Sequence, residues 1–299
     1  MGEVVFPDYV EAFIESTRGY IQSFNETLIE ISEDAKLQSR EYQIHLPDGP
    51  VQIVVHRTLR SFEQPIGEYR ARVNSPIKSE SSAYLRGKEE LLNRYATLAS
   101  LVTSDVDASV ICQCLIQPEL EATTPALLAV AAIHGRSSII EAFRLSITKE
   151  PPPKVKTLSA WTDLHLEQIH YDYGHLGIGK LGHGYWHMTF LNGETLTLTA
   201  VHDNPVWGGG LLSLLKIPQR VTKDPDSALD INYLNSFSNL VDDIPTFGSW
   251  CRDEEKLVFV QFSPNLFRDL PDHTDLLIAW SKARVTFASS LFALVRECP

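Results

Sequence analysis

The sequence predicts an α+β fold of two similar domains, each an antiparallel sheet with helices packed on it. Three observations carry this reading. Leu92 to Leu98 (LNRYATL) reads like Leu234 to Leu240 (LNSFSNL), and Leu127 to Phe143 aligns without a gap with Leu276 to Phe292. Between those blocks each half carries an apolar, strand-like stretch ending in proline, Ile111 to Pro118 and Val258 to Pro264. Finally, Glu150-Pro151-Pro152-Pro153-Lys154 is the clearest break in the chain, because successive prolines cannot continue a helix and favour a stiff, extended linker. The boundaries that follow are an N-terminal domain over 1–149, a linker over 150–157 and a C-terminal domain over 158–299 that repeats the first. Two copies in one chain imply a monomer built as an internal pseudo-dimer, with a homodimer as the alternative.

Each element has its own signal. A first helix starts near Pro7, where Val10, Phe13, Ile14, Ile21, Phe24 and Leu28 make one apolar stripe at helical spacing. Strands over Glu41 to Leu46 and Val51 to Leu59 are joined by Pro47-Asp48-Gly49-Pro50, in which proline presets φ and glycine accepts a positive one. A third strand spans Gly67 to Val73, a helix runs from about Ser82 to Leu101, and a strand covers Ser109 to Gln117. Thr124 before Pro125 caps a helix reaching about Leu145. In the second half, Leu158 to Ile169 reads as a short helix. Tyr185 to Leu191 and Glu194 to Val201 form a hairpin at Asn192-Gly193. Asp224-Pro225 opens the helix that carries Tyr233 to Leu240, Gly248 to Phe262 reads as a hairpin turning at Asp253-Glu254-Glu255, and a last helix runs from Thr274 to about Leu294.

Composition bounds the partners. The chain has 299 residues, 43% of them hydrophobic, an ordinary globular mixture. Its formal charge of −12 disfavours nucleic acid and anionic lipid as partners. The basic stretch Arg57, Arg60, Arg70, Arg72 and Lys78 reads as the solvated face of a hairpin. The 4 cysteines include no CxxC pair; Cys112 and Cys114 share one side of a strand and read as buried free thiols of a reducing compartment. The N-terminus lacks a signal peptide's basic start and apolar core, and Phe6 stands where a myristoylation motif wants Ser or Thr. No uncharged apolar run approaches the ~18 residues that cross a bilayer. The expectation is a cytoplasmic protein without a membrane or nucleic-acid partner and without a cofactor.

Candidate chemistry is sparse. Gly174 to Lys180 (GHLGIGK) has phosphate-loop spacing, but Leu181 takes the place of the magnesium-binding hydroxyl, so a glycine-rich loop is the simpler reading. Six of the 10 histidines fall between His165 and His202. His183 and His187 would share one side of a strand about 13 Å apart, and His202-Asp203 could complete a metal site, since a carboxylate often orients a ligating imidazole. That set, His183, His187, His202 and Asp203, defines the alternative reading of a histidine-dependent metalloenzyme. No nucleophile elbow occurs, and the acidic pairs Asp242-Asp243 and Glu254-Glu255 lie in turn-like stretches, where carboxyl groups stay solvated. The most unusual segment, Val206 to Leu212 around Trp207, Gly208, Gly209 and Gly210, reads either as a mobile lip over a groove or as a flexible connection.

The order helix, three strands, helix, one or two strands, helix resembles the YbjN and type III secretion chaperone-like fold. The residues that carry the resemblance are Leu234-Asn235, Gly248-Ser249-Trp250-Cys251 and Phe259-Val260-Gln261-Phe262-Ser263-Pro264-Asn265. It implies chaperone-like protein binding by a dimer of single domains, with no catalytic residues to carry over; this chain departs from it by fusing two copies. The leading expectation is therefore a non-catalytic adaptor or chaperone that takes a polypeptide segment on an apolar face. Tyr185, Trp186, Trp207, Gly208, Gly209, Gly210 and Trp250 are its expected contact residues.

Overall fold

A computed structural model describes residues 4–58, 68–78, 83–85, 87–94, 98–104, 107–118, 123–148, 163–174, 179–204, 208–220, 231–238, 246–254, 256–264 and 273–297. The fold is α+β with two six-stranded antiparallel sheets. The first half runs α1 (Asp8–Ser23), β1 (Ile29–Asp34), β2 (Ser39–Leu46), β3 (Gly49–Thr58), β4 (Glu68–Ile77), α2 (Glu89–Asn93), β5 (Ser100–Thr103), β6 (Ala108–Ile116) and α3 (Thr123–Thr148). The second runs α4 (Asp163–Gly174), β7 (Lys180–Gly182), β8 (Tyr185–Thr189), β9 (Thr195–Asn204), β10 (Gly208–Arg220), α5 (Ile231–Ser238), β11 (Ser249–Asp253), β12 (Lys256–Pro264) and α6 (His273–Glu297). The strand orders are β1-β2-β3-β4-β6-β5 and β7-β8-β9-β10-β12-β11, so each strand of one half has a counterpart at the same place in the other. The expected linker at 150–157 lies outside the described residues.

Each half carries four strands before its middle helix, not three. β1 escapes a sequence reading because all six of its residues are exposed, which removes the alternation that marks a half-buried strand. β5 begins inside what reads as a helix over 82–101; α2 is only one turn, and the chain turns into the sheet at Ser100. β10 is the longest strand, and it begins at the three glycines expected to form a lip or a flexible connection.

Alternation sorts the side chains of each strand. In the first sheet Tyr42, Ile44, Val51, Ile53, Val55, Ala71, Val73, Cys112 and Cys114 are buried on one face, over which α3 packs against β3, β4 and β6, and α1 packs on α3. Cys112, Cys114 and Cys251 are free and buried, as their strand positions imply, and burial raises the Cys112 and Cys114 thiols. Of the basic residues expected on a solvated face, Lys78 is exposed and Arg57 and Arg72 are half-buried. Arg70 is buried, between His56 on β3 and Leu115 on β6, and Arg60 lies outside the described residues. Within α3, Thr123–Leu145 is long and apolar enough to cross a membrane, but 72% of its most apolar window is buried in the fold.

A reciprocal seam joins the halves. Asn93, at the end of α2, clamps its own β5: its amide donates to Leu101 O at 3.0 Å, and its Oδ1 accepts from Leu101 N–H at 2.7 Å. Asn235, in α5, does the same to β11 through Trp250 O at 3.0 Å and Trp250 N–H at 2.8 Å. Across the seam Ser100 Oγ donates to Gly248 O at 2.9 Å, and Ser249 Oγ donates to Ala99 O at 3.2 Å. The two hydroxyls lie 3.2 Å apart. α2 packs on β11, and α5 packs on β5. Each half gives the contact it receives, the mark of an isologous, two-fold interface, here within one chain.

Two half-buried imidazoles make stability depend on pH. Burial lowers the pKa of His134, on α3 edge-on to Phe24, below 6.5. Burial, and then the charges of Arg70 and Arg72, lower that of His56 on β3. The unfolded chain therefore takes up these protons first as pH falls. The contribution of the neutral rings is complete above pH ~6.5 and is lost as pH drops through 6.5 toward their folded values. Urea unfolding at pH 5.5 should show a lower midpoint than at pH 7.5, and His134→Gln should shrink the difference.

Candidate functional site

The duplicated halves diverge where the last helix meets the hairpin that opens each sheet. In the first half Arg136 on α3 is buried, and its guanidinium donates to Gly49 O at 2.7 Å and Pro76 O at 3.1 Å. It thereby ties the helix to the β2–β3 turn and to the end of β4. In the gapless alignment of the two helices, Val285 of α6 stands at this position. An isopropyl group cannot span that gap or donate a hydrogen bond.

The preceding position diverges as well. Gly135 brings α3 close to the sheet, since a Cβ there would lie 3.3 Å from Val110 and 3.4 Å from Ala99. Its counterpart is Arg284, fully buried, with its guanidinium 3.8 Å from the Phe259 ring centroid. Burial lowers its pKa to about 9, which leaves it charged at neutral pH. A guanidinium thus stands between α6 and β12 where the first half has only a hydrogen atom. Among the described residues α3 packs on β3, β4 and β6, while α6 packs on β10 and reaches β12 through Arg284 and Phe259.

The space left between α6 and the β7–β9 end of the second sheet is a cavity of about 720 Å³. Its apolar lining comes from Met188 and Phe190 on the hairpin and from Val285 on the helix. Lys282 on α6 and Lys180 on β7 also belong to the lining, Lys180 as the ladder partner of His187, on the side of the sheet that carries Tyr185. Glu194 is buried in the turn, where its Oε2 accepts from Asn192 N–H at 3.2 Å while Phe190 N–H donates to Glu194 O at 2.8 Å. His187 contributes a ring that lies 5.8 Å from that of Tyr185, and its buried Nδ1 has no hydrogen-bond partner. β7, whose Lys180 is in the lining, ends the sheet, and its outer edge has no strand partner among the described residues. The lining contains no serine or cysteine.

Several expected contact residues belong to the core instead. Trp186 is fully buried on the inner face of β8, its ring 6.0 Å from that of Tyr173. Trp250 is buried on β11 against Phe259 at 5.1 Å, beside the seam. Tyr185, on the other face of β8, is exposed. Gly208, Gly209 and Gly210 are strand residues of β10; a Cβ at Gly210 would strike the Phe262 ring and Ser263 O, so the glycine permits close approach and is no lip. Trp207 lies outside the described residues.

Of the alternative metal set, His183 is exposed in the β7–β8 turn, His187 is half-buried on β8, and His202 is exposed on β9 with Asp203 next along the strand. Among the described residues no group of three or more His, Cys, Asp or Glu is placed to hold a metal ion. In the phosphate-loop-like stretch, Gly179 faces the Trp186 ring too closely to allow any side chain, and Lys180 opens a strand, not a helix. The cavity residues Met188, Phe190, Lys282 and Val285 went unnoticed in the sequence. The signal that points to them is the Arg136–Val285 mismatch, which gains meaning only once both helices are seen on equivalent sheets. No protein-family model matches the chain, and no curated protein matches it in sequence.

Proposed function

We propose that the chain is a non-catalytic binding module, adaptor- or chaperone-like, that accepts a polypeptide segment at the second-half cavity. The observation that supports this most is the cavity beside β7, at the place where Arg136 ties the helix to the hairpin in the first half and Val285 stands in the second. An extended segment adds to β7 through main-chain hydrogen bonds and lowers one side chain onto Met188, Phe190 and Val285. The first half, sealed there by Arg136, serves as the stabilising partner. This reading agrees with the expected likeness to the type III secretion chaperone-like fold, with the dimer partner fused into the same chain.

Val285→Arg installs the first half's own plug. Peptides selected from a random displayed library against the whole protein should lose about tenfold or more in affinity for this variant, since a side chain that occupies the pocket excludes the ligand by direct clash. Melting temperature and circular dichroism should stay at wild-type values. Selected peptides that bind Val285→Arg as tightly as the wild type would place the site elsewhere, and a selection that yields no binder would overturn the reading.

A further inference from the structure

We infer that α6 is a movable wall: it lifts from its sheet as a unit, more readily than α3 does from the first sheet, and so gates the second-half cavity. The gating rests on the proposed polypeptide site, because α6 supplies Lys282, Val285 and Thr286 to the lining. The lifting rests on the packing beneath the helix.

The helix-facing side of the second sheet is polar where that of the first is apolar. Ser100 pairs with Ile111 and Ser249 with Val260, so the reciprocal seam sets the two ladders in register. Cys112 and Cys114 of β6 then correspond to Gln261 and Ser263 of β12. Val73 of β4, the ladder partner of Cys112, corresponds to Ser213 of β10, the partner of Gln261. All these side chains are buried. Among the described residues Gln261 Nε2, Gln261 Oε1 and Ser263 Oγ have no hydrogen-bond partner, while the first half leaves one hydroxyl of this face, Ser75 Oγ, in that state. A buried donor or acceptor without a partner burdens the closed state with its desolvation, and water relieves it on opening.

The helix itself adds to this. Phe259, Gln261 and Ser263 alternate along β12 on one side, and Arg284 of α6 lies over the first of them. Its counterpart Gly135 lies against Val110, the equivalent of Phe259. Closing α6 therefore desolvates a guanidinium as well as an amide and a hydroxyl, whereas closing α3 covers a valine and two cysteines. The ties differ in the same direction. Arg136 binds α3 to Gly49 O and Pro76 O from a buried position. α6 has Val285 there and is fastened at its first turn, where Tyr173 O–H of α4 donates to Asp275 at the surface. A segment closed over polar groups and held by an exposed bond belongs to the part of a fold that opens first.

The test is hydrogen exchange of the full chain, read by mass spectrometry without any ligand. Residues 276–288 of α6 should exchange at least about a hundredfold faster than the matching residues 127–139 of α3, after correction for intrinsic rates. Exchange of α6 within about threefold of α3 would overturn the inference. Gln261→Cys with Ser263→Cys installs the first half's residues and should slow α6 exchange at least about tenfold, with α3 unchanged. No slowing would overturn it as well. If that double variant does not fold, Tyr173→Phe, a change at the surface, should speed α6 exchange at least about threefold, and an unchanged rate has the same adverse meaning. Gating is read separately. A displayed-library peptide that binds the wild type and fails on Val285→Arg, at a concentration about tenfold above its Kd, should slow α6 exchange about tenfold. A bound peptide that leaves the rate unchanged removes the gate. A library that yields no such peptide removes the polypeptide site and the gate together, while the lifting of α6 stands or falls on the ligand-free rates.

Discussion

Replacing Trp186 with alanine should destabilise the protein by about 3–5 kcal/mol, the cost of deleting a large aromatic side chain from a packed core. The ring is fully buried between Tyr173 of α4 and the backbone at Gly179, which approaches too closely for any other residue to stand there. The same substitution one residue earlier, Tyr185→Ala, removes a side chain from the exposed face of the same strand and should cost well under half as much. Urea unfolding of both variants measures the contrast. Equal losses would mean that β8 presents its two faces in the opposite sense, and the cavity geometry would fall with it.

The second large effect lies at the seam. Asn235→Ala removes the one amide that satisfies both Trp250 N–H and Trp250 O, and Trp250 is buried. Leaving a donor and an acceptor unsatisfied inside the protein costs about 2–4 kcal/mol in total. Asn93→Ala should lose a similar amount, because it strands Leu101 N–H and Leu101 O in the same way. The double variant should fall short of the sum, since both asparagines hold the Ser100–Ser249 contact from opposite sides. Losses below about 1 kcal/mol for either single variant would show that water replaces the amide and that the seam is open to solvent.

The repeat was legible because helices and central strands carry strong periodic patterns. Leu127 to Phe143 and Leu276 to Phe292 align without a gap, and the β2–β3 and β8–β9 hairpins announce themselves through Asp48-Gly49 and Asn192-Gly193. What failed has local causes. β1 is exposed throughout and offers no alternation, and β10 begins with glycines whose role is to admit Phe262, a contact far away in sequence. Tyr185-Trp186-His187-Met188 alternates plainly, yet alternation does not say which face the helices cover. The tryptophan takes the covered face and the tyrosine the exposed one.

The cavity was less visible still. Its helix wall carries Val285 where the first half has Arg136, next to Arg284 where the first half has Gly135, and neither is unusual in a helix read alone. Arg136 acquires its meaning from Gly49, in a turn distant in sequence. The proposed site sits in a difference between two copies of the same surroundings, and a difference can be read only after both copies have been built.

The self-complementary seam has a consequence for how such a protein can change. In an assembly of two identical chains every substitution appears twice, so a residue that opens a pocket also opens its twin and weakens both members together. Covalent fusion lifts that constraint: Val285 could lose its bridge while Arg136 kept one. One copy is thereby free to specialise at the expense of its own packing, held in place by a sibling that has remained intact.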